Sequence, residues 1–551
     1  MSNTNLAEND PAPAAPASAV PAAPAPSAAD IEAATQVLEA VALDRTLLAH
    51  VDAATRNALQ RFAGEIARPD LKARKRLQKT LLRKAQVARK NGDEALRRGS
   101  GIRRLREEPV FLTPFPAMPA RGTDASGWWP VLPGSPAEAP AAPPAAPEAG
   151  PELHEPRRCY VCKREYRRIH RFYDQLCQAC GDENELRRTA TADLRGRVAL
   201  VTGARVKIGY QAAMLLLRAG CTVVACTRFP RDAAARYARE PDFEAWRDRL
   251  LIHGVDLRHT PSVEHLCHWL DGTLPRLDFQ IHNACQTVRR PPGFYAHLVG
   301  DEHRPAAALP PAVQQLLRSD EALRAEHAGR RSAAGLTGSA LLSQAGTEAD
   351  LLLTGAGPEA LEIFPKGILD QDLQQVDLRV TNSWRLPLHE VPTHELLEVL
   401  LVNATAPFVM TARLKPLMVR SATPPPGTAT SADGARHVVL VSAMEGQFYR
   451  ALKTDKHPHT NMAKAALNML VRTSAPDLRK DLIFLNAVDT GWVTDEDPAH
   501  IAARKAEEHA FSPPLDIVDG AARIVAPIIE GFQTGQHQAG HFYKDYRPAP
   551  W

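Results

Sequence analysis

Cysteine, net charge and long apolar runs are all scarce in this chain of 551 residues. Its eight cysteines are too few for a disulfide scaffold, and their placement, four in two close pairs and four alone, suits a reducing compartment. A formal charge of +4 excludes a polycation. No window approaches 18 to 20 uninterrupted apolar residues, so we expect no membrane-spanning helix and no membrane partner. The first thirty residues lack a basic start and a compact apolar run, which leaves a cytoplasmic location as the expectation.

Proline and alanine concentrate in two stretches of the chain. Of the 46 prolines, 19 lie in residues 1–30 and 109–156. Segments of this composition bury too little apolar surface to offset the entropy lost on ordering. We therefore predict a disordered tail over 1–30 and a linker over 109–156.

Positive charge concentrates between these two stretches, in residues 31–108. From Arg68 to Glu108 there are 15 basic and 5 acidic residues, a net charge of +10. Apolar residues recur near helical spacing, which predicts two or three amphipathic helices forming a basic arm. The arm could contact phosphate or an acidic partner, or be a solvated helix face. No aromatic residues interleave the basic ones as a stacking surface needs, so nucleic acid is not the expected partner.

Four cysteines define a module over residues 157–190. Cys159, Cys162, Cys177 and Cys180 form two CxxC pairs fourteen residues apart, a spacing that offers four thiolates to one tetrahedral zinc ion. Four sulfurs leave no open coordination position, so we predict a structural zinc ribbon rather than a catalytic zinc. Two chance pairs are the alternative. The basic and aromatic residues between the pairs could bind a protein partner or dock on the neighbouring domain, and docking is favoured.

Short apolar runs alternate with helix-length segments from residue 191 to 551. The candidate strands are 198–203, 222–227, 249–255, 277–283, 437–442 and 482–488. This alternation predicts an α/β domain with a Rossmann-like, doubly wound parallel sheet. An insertion over about 287–393 is longer than a crossover needs. It could form a lid or a substrate-recognition element, or, in its middle part, a loop without catalytic meaning.

The first candidate strand ends in TGARVKIG, residues 202–209, and a helical pattern follows. Such a unit presents backbone amides at a helix N-terminus to a pyrophosphate. Further residues follow the later strands in order: Asp256-Leu257, Asn283-Ala284, Asn403, Ser442, Lys464 and Thr490-Gly491. This ordered set resembles the short-chain dehydrogenase/reductase family from about 194 to 545. The resemblance implies hydride transfer between nicotinamide and the carbonyl or hydroxyl of a small-molecule substrate, by a protein whose relatives often form homo-oligomers.

The resemblance also implies a cofactor site. By position, its members would be Thr202, Gly203, Arg205, Lys207, Ile208, Gly209, Arg228, Asp256, Leu257, Asn283, Ala284, Lys464, Thr490 and Gly491. The second strand ends at Arg228 without the carboxylate that would bind an unmodified ribose, and arginine suits a 2′-phosphate. Together with Arg205 this favours NADP(H) over NAD(H), although Arg228 could also be an ordinary surface arginine.

Two positions depart from the family pattern. Lys207 stands where the family usually has its middle glycine, and it could pair with phosphate as a point charge. Thr460 stands where the family has its proton-donating tyrosine, four residues before Lys464. A threonine hydroxyl is far less acidic than a phenol, so Thr460 does not inherit that role.

The remaining catalytic residues that the resemblance implies are Asn403, Ser442 and Lys464. Each also has a structural alternative: Asn403 could bond to the local backbone, Ser442 could cap a strand, and Lys464 could be a solvated helix residue. Tyr449 could replace the missing tyrosine from the loop after Ser442, or it could only anchor that loop. The sequence thus leaves two functions open: an oxidoreductase, and a nucleotide-binding scaffold or sensor whose zinc ribbon binds a protein partner.

Overall fold

The computed structural model describes residues 26–111, 113–114, 152–331, 363–423, 434–449 and 453–551. Most of the predicted tail and linker lies outside these ranges. The chain divides into two compact units, Met1–Ala88 and Arg89–Trp551. The first unit contains the helices α1 (Ala28–Leu43) and α2 (Ala53–Ala67) and most of α3 (Leu71–Arg98). Ser27, Asp44 and Asp52 cap helical starts by accepting backbone N–H hydrogen bonds.

The second unit begins with a small module that carries the four cysteines. A short helix α4 (Gly101–Glu107) precedes an antiparallel pair, β1 (Glu152–Arg158) and β2 (Glu165–Arg168), and the helix α5 (Gln178–Arg188) completes the module. Its apolar core is small and is shared with the following domain, since Tyr173 and Leu176 pack with Leu515 and Val518. Such sharing is expected of a module too short to bury a core alone.

An eight-stranded sheet organises the rest of the second unit. Its strands are β3 (Val198–Thr202), β4 (Thr222–Thr227), β5 (Leu250–Gly254), β6 (Phe279–His282), β7 (Arg436–Ser442), β8 (Ile483–Asp489), β9 (Phe542–Lys544) and β10 (Arg547–Ala549). They lie in the order β10-β9-β8-β7-β6-β3-β4-β5, and all neighbours but β9 and β10 are parallel. The sequence order reverses between β3 and β6, the position where doubly wound sheets bind their ligands. The predicted Rossmann-like sheet is confirmed.

Helices lie in the connections between these strands, and several of them pack on the two faces of the sheet. They are α6 (Lys207–Arg218), α7 (Pro230–Tyr237), α8 (Thr260–Thr273), α9 (Ala296–Glu302), α10 (Pro311–Arg331), α11 (Thr393–Leu400), α12 (Ala406–Arg420), α13 (Pro458–Lys480), α14 (Ala499–His509) and α15 (Ile517–Thr534). One apolar cluster joins the sheet to α6 and α15, and a second joins it to α8, α12 and α13. Strands buried on both faces explain their near-continuous apolar sequences.

Two strands escaped sequence analysis because each has only three residues. β9 extends the parallel sheet beside β8, and β10 folds back on β9 across Asp545 and Tyr546. Both turn residues have positive φ, 47° and 66°, as two-residue hairpins require. Three residues give no measurable alternation, so pattern alone could not predict them.

One helix of the described chain, Thr393–Arg420, is long and apolar enough to cross a membrane by length and composition alone. Mean hydropathy therefore detects this helix, whereas a search for uninterrupted apolar runs, which the sequence lacks, does not. Its residues Met410, Leu414 and Leu417 are fully buried in the cluster that covers the sheet. In this structure it is a core helix of the Rossmann-like domain.

Buried histidines should make the protein less stable in acid. Burial lowers the pKa of His253 and His457 to about 4 and that of His282 to about 3. In an unfolded chain a histidine has a pKa of about 6.5, so below that pH the unfolded state binds more protons and stability falls until the folded pKa is reached. Each histidine contributes up to about 1.4 kcal/mol per pH unit. Urea unfolding at pH 7, 6 and 5 measures the slope.

The histidine contribution can be separated from that of other groups. His253→Leu should flatten the dependence on pH by about one proton, since neither ring nitrogen of His253 has a hydrogen-bond partner in the described structure. His389→Leu is the matched control, because the His389 side chain is 81% exposed. Equal slopes for the two variants would contradict the prediction.

Candidate functional site

The turn after β3 is built so that two of its positions admit only glycine. Gly203 has φ +68°, and a Cβ there would lie 2.9 Å from the Cα of Ala284. A Cβ on Gly209 would lie 2.2 Å from Nδ2 of Asn283 and 2.3 Å from the carbonyl oxygen of Gly203. Asn283 Nδ2 also donates to the carbonyl oxygens of Thr202 and Gly203, at 3.2 and 3.3 Å. The end of β6 therefore fixes the glycine turn, and the turn leads into the N-terminus of α6.

This turn opens on a cavity of about 550 Å³ at the carboxyl ends of the strands. The predicted cofactor residues that line it are Thr202, Gly203, Arg205, Lys207, Ile208, Gly209, Arg228, Asp256, Leu257, Asn283 and Ala284. The insertion supplies another wall, which the sequence did not assign: Arg290, Phe294, Tyr295, Asp370, Gln374, Gln375, Val376, Asp377, Arg379 and Asn382. The cavity has the size and position of a site for a nucleotide-like ligand.

The two arginines predicted to select a phosphate differ in their surroundings. Arg205 is buried and donates to the carboxylate of Asp232 at 2.7 Å, so its charge is already paired. Arg228 donates to the hydroxyl of Tyr295 at 2.6 Å and lies over the same ring, 4.6 Å from its centroid. No carboxylate of the described chain pairs with Arg228. Its positive charge therefore faces the cavity without a direct ion pair, although it acts on the nearby carboxyl of Asp256 and helps to lower the pKa of that group.

Asp256 also lines the cavity, and its carboxylate is held by an arginine that sequence analysis missed. Arg258 donates from Nη2 at 2.7 Å and from Nε to both oxygens at 3.1 Å. Burial alone would raise the pKa of Asp256, but the hydrogen bonds and charge of Arg258 outweigh it, and the pKa is lowered. A second carboxylate, Glu398, lies 3.3 Å from Nη1 of Arg258. The sequence did carry a signal for this contact, because Arg258 follows Asp256 by only two residues.

Lys207 keeps the backbone shape of the glycine it replaces. Its φ is +56°, in the left-handed region where glycine is favoured. Its ammonium lies 3.9 Å from the carboxylate of Asp372, which the insertion brings to the turn. Arg236 holds the same segment by donating to the carbonyl oxygens of Asp372 and Leu373, at 2.9 and 3.0 Å. The insertion therefore packs on the glycine turn.

Lys207→Gly should stabilise the protein by about 1 kcal/mol, because glycine takes a left-handed conformation without the steric cost of a Cβ. Loss of the ion pair with Asp372 offsets little of this gain, since that pair is partly exposed. Lys207→Ala is the matched control: it also loses the ammonium but keeps the Cβ. Urea unfolding measures both. A glycine variant no more stable than the alanine variant would show that the backbone there is unstrained.

Asn403 reaches the rim of the cavity through Gln286, a lining residue that lies just before the insertion. Its Oδ1 accepts from the backbone N–H of Gln286 at 2.7 Å, and its Nδ2 donates to the Gln286 carbonyl at 3.2 Å. Asn403 lies in a π-helical turn, Leu401–Thr405, between α11 and α12. Pro407 explains this turn, because its ring would clash with the carbonyl four residues earlier, that of Asn403, in a regular helix.

Ser442 and Lys464 are brought together, but both are bonded to the chain itself. The Ser442 hydroxyl donates to Oδ1 of Asn468 at 2.6 Å, and the Lys464 ammonium donates to the Val441 carbonyl at 2.7 Å. Both side chains are buried. Neither they nor Thr490 and Gly491 line the cavity as the structure describes it. These four predicted site residues therefore remain predictions.

The structure also places Thr460, which stands at the position of the missing tyrosine, and Tyr449, its candidate replacement. Thr460 is buried in α13, and its hydroxyl has no hydrogen-bond partner among the described residues. Tyr449 is 58% exposed and is not among the described lining residues of the cavity. The structure thus does not bring Tyr449 to the site.

The four cysteines converge as the spacing predicts. The sulfurs of Cys159, Cys162, Cys177 and Cys180 all lie within 4.8 Å of one another. Cys162 and Cys177 are 3.7 Å apart, and a tetrahedral zinc with Zn–S bonds of about 2.3 Å places its sulfurs ~3.8 Å apart. The donor set therefore fits a structural zinc ion, which these four thiolates would hold.

The cysteine module also contacts the edge of the Rossmann-like domain. Tyr160, between the first two cysteines, accepts a hydrogen bond from the backbone N–H of Trp492 at 2.9 Å. A Cβ on Gly491 would lie 3.3 Å from the Tyr160 hydroxyl. The turn after β8, predicted to border a cofactor, thus rests on the cysteine module.

Comparisons with known proteins agree with this architecture. A family model described as short chain dehydrogenase matches residues 197–296. An uncharacterised protein, R665 of Acanthamoeba polyphaga mimivirus, is 29% identical over 389 residues, covering 68% of this chain and 71% of its own length. The Bos taurus dehydrogenase/reductase SDR family member 13 is 37% identical over 105 residues, which are 18% of this chain and 27% of the bovine protein.

Among solved structures, the Pseudomonas aeruginosa RhlG/NADP active-site complex matches with 20% identity and a TM-score of 0.38, covering 64% of this chain and 94% of that one. The family-model match falls on β3 to β6, which carry the glycine turn and most of the predicted cofactor residues. Residues 197–296 are therefore similar to the short-chain dehydrogenase family, and a zinc-ribbon-like four-cysteine module lies ahead of the Rossmann-like domain that contains them.

Proposed function

We propose that the protein is an NADP(H)-dependent oxidoreductase acting on a carbonyl or hydroxyl group of a small molecule. The observation that carries this proposal is the glycine turn at the end of β3, which opens on the cavity beside the unpaired charge of Arg228. A strand end with arginine in place of a carboxylate suits a 2′-phosphate and lacks the acceptor that would bind the two hydroxyls of an unmodified ribose. The cofactor, when bound, supplies or accepts the hydride.

Different residues of this chain would bind different parts of the cofactor and the substrate. Gly203, Ile208 and Gly209 form the turn that would face the diphosphate, and Arg228, oriented by Tyr295, would meet the 2′-phosphate. The insertion wall, which lies beside the same cavity, would contact the substrate.

A second candidate function is a nucleotide-binding scaffold without catalysis. It is favoured by the threonine at position 460 and by the inward hydrogen bonds of Ser442 and Lys464. For the oxidoreductase, the Lys464 ammonium would have to leave the Val441 carbonyl to reach a ligand. Retention of Asn403, Ser442 and Lys464 in family order favours the oxidoreductase, since a scaffold has no need of them.

Titration with NADPH and NADH tests the cofactor. We expect NADPH to bind at least about tenfold more tightly, and Arg228→Gln to remove most of that preference, because a charge-assisted contact to the 2′-phosphate is lost. Arg239→Gln is the matched control, since Arg239 is exposed and does not line the cavity. Equal affinities for the two nucleotides in the unaltered protein would overturn the NADP(H) assignment.

Turnover separates the two candidate functions. NADPH oxidation across a panel of aldehydes and ketones is compared for the unaltered protein, Lys464→Ala, Tyr449→Phe and Thr460→Tyr. Turnover that falls at least about 100-fold in Lys464→Ala supports the catalytic assignment. Tight NADPH binding with no turnover on any carbonyl would support the scaffold, and turnover unaffected by Lys464→Ala would overturn the catalytic role of that lysine.

A further inference from the structure

The first unit exposes much of its apolar surface. Large apolar side chains stand in solvent on all three of its helices: Ile31, Val37 and Leu43 of α1, Phe62 and Ile66 of α2, and Leu71, Leu77, Leu81, Leu82 and Val87 of α3. Leu48 is the one large apolar side chain of this unit, in its described part, that is buried. Exposed apolar surface of this extent marks a site of interaction.

Helix α3 arranges its exposed side chains in two rows on roughly opposite sides of the helix. Leu77, Leu81 and Ala85 follow one another at intervals of four, which places them on one side of the helix, and Leu71 and Leu82 flank them. These leucines are 56 to 75% exposed. The second row carries Lys72, Lys75, Arg76, Lys79 and Arg83, again at intervals of three and four. We call these two rows together the α3 face.

No acidic residue interrupts the α3 face. The chain has none between Asp70 and Asp93, and within the described part of the chain no ion pair forms on the five basic residues of the second row. Over about 18 residues, or roughly 27 Å, the helix is therefore apolar on one side and cationic on the other. Its partner has to offer both an apolar layer and dense negative charge over that length.

We propose that the α3 face binds the surface of an anionic lipid bilayer, with the helix lying in the interface. There the leucines enter the boundary of the acyl chains while the lysines and arginines contact the headgroups. Our expectation of no membrane partner concerned spanning segments, and surface binding needs none. The proposal is independent of the proposed enzymatic function.

Charge and position disfavour two other partners. A nucleic acid would use the basic row but leave the leucine row in water, and α3 carries no aromatic side chain for base stacking. A second copy of α3 would bury Arg74, which lies in the leucine row three residues before Leu77, against another cationic helix. At a bilayer the same arginine can extend along the helix to the headgroups.

The test is sedimentation of the full chain with phosphatidylcholine vesicles, with and without about one third phosphatidylserine. We expect binding only to the phosphatidylserine vesicles, weakened at high salt because the attraction is screened. Leu77→Asp/Leu81→Asp should reduce binding at least about tenfold, since two apolar contacts are lost and two negative charges enter the interface. Lys75→Gln/Lys79→Gln/Arg83→Gln should reduce it through charge alone.

Thr80→Asp/Gln86→Asp is the matched control, with the same change of charge at two sites outside the row of Leu77 and Leu81; both sites are exposed. It should bind more tightly than the leucine variant, and circular dichroism should show equal helix content for both. Absence of binding to phosphatidylserine vesicles would overturn the proposal. The proposal would also be overturned if the control variant lost vesicle binding as fully as the leucine variant. It would likewise be overturned if single-stranded RNA displaced the vesicles and the leucine substitutions had no effect on binding. A dimer in analytical ultracentrifugation that only the leucine variant abolishes, without vesicle binding, would assign the face to a second copy instead.

Discussion

Exchange of Cys177 for serine should unfold the four-cysteine module and cost the protein several kcal/mol of stability. The module has a two-stranded hairpin and one short helix, and its apolar core is partly borrowed from the neighbouring domain. In domains this small, structural zinc contributes on the order of 10 kcal/mol of binding free energy, which is folding free energy. Serine offers a poor zinc ligand in place of a thiolate. Elemental analysis should find about one zinc per unaltered chain and much less in the variant.

The effect should extend to the turn after β8. The backbone N–H of Trp492 donates to Tyr160, which lies between two of the cysteines, so loss of the module removes its acceptor. Hydrogen exchange followed by mass spectrometry should therefore show faster exchange both in residues 152–188 and around Trp492. Tyr160→Phe isolates this contact, because it removes the acceptor oxygen while keeping the ring, and it should affect only the turn.

Cys285→Ser is the matched control for stability, since Cys285 is exposed and lies outside the cluster. It should change unfolding by less than about 0.5 kcal/mol. If Cys177→Ser is no more destabilising than Cys285→Ser, and exchange in residues 152–188 is unchanged, the module folds without a metal.

The sheet could be predicted from sequence because its signals are local. Strands such as β4 and β7 are buried on both faces and read as continuous apolar runs, and the glycine turn follows β3 directly. The two CxxC pairs are equally local, and the structure brings all four sulfurs together. Each of these features is decided by a few neighbouring residues.

The site depends on contacts that no local pattern carries. Tyr295 orients Arg228 from 67 residues away, and Asp372 meets Lys207 from 165 residues away. The Ser442 hydroxyl is directed away from the cavity because it donates to Asn468, which α13 places opposite β7. A residue's position in a family motif fixes its backbone location, whereas the direction of its hydrogen bonds depends on which other polar groups the fold places near it.

Arg188→Met should destabilise the protein by about 3 to 5 kcal/mol, because it leaves two buried carboxylates without their cation. Arg188 donates from Nη1 and Nη2 to the two oxygens of Asp516, at 2.6 and 2.9 Å, and its Nη1 lies 2.9 Å from Asp519. Tyr173 adds a hydrogen bond to Asp519 at 2.5 Å. Since Arg188 and Tyr173 belong to the cysteine module and the aspartates begin α15, this network joins the module to the Rossmann-like domain.

The pKa values indicate how the loss will depend on pH. Burial raises the pKa of both aspartates, but for Asp516 the charge and hydrogen bonds of Arg188 outweigh burial and lower it. Without Arg188 both folded-state pKa values rise above those of the unfolded chain. The folded variant then binds more protons than the unfolded chain, so the deficit of the variant should shrink as the pH falls from 7 toward 5.

Arg195→Met is the matched control, because Arg195 pairs with Asp193 at 2.5 Å but its side chain is 72% exposed. A surface pair of this kind contributes about 0 to 1 kcal/mol, so its loss should be small and insensitive to pH in this range. Arg188→Met/Asp519→Asn should recover part of the stability, since one of the two stranded charges is removed while the amide can still accept from Tyr173. Equal destabilisation by Arg188→Met and Arg195→Met would mean that water reaches the aspartates and that this ion pair contributes little to holding the module on the domain.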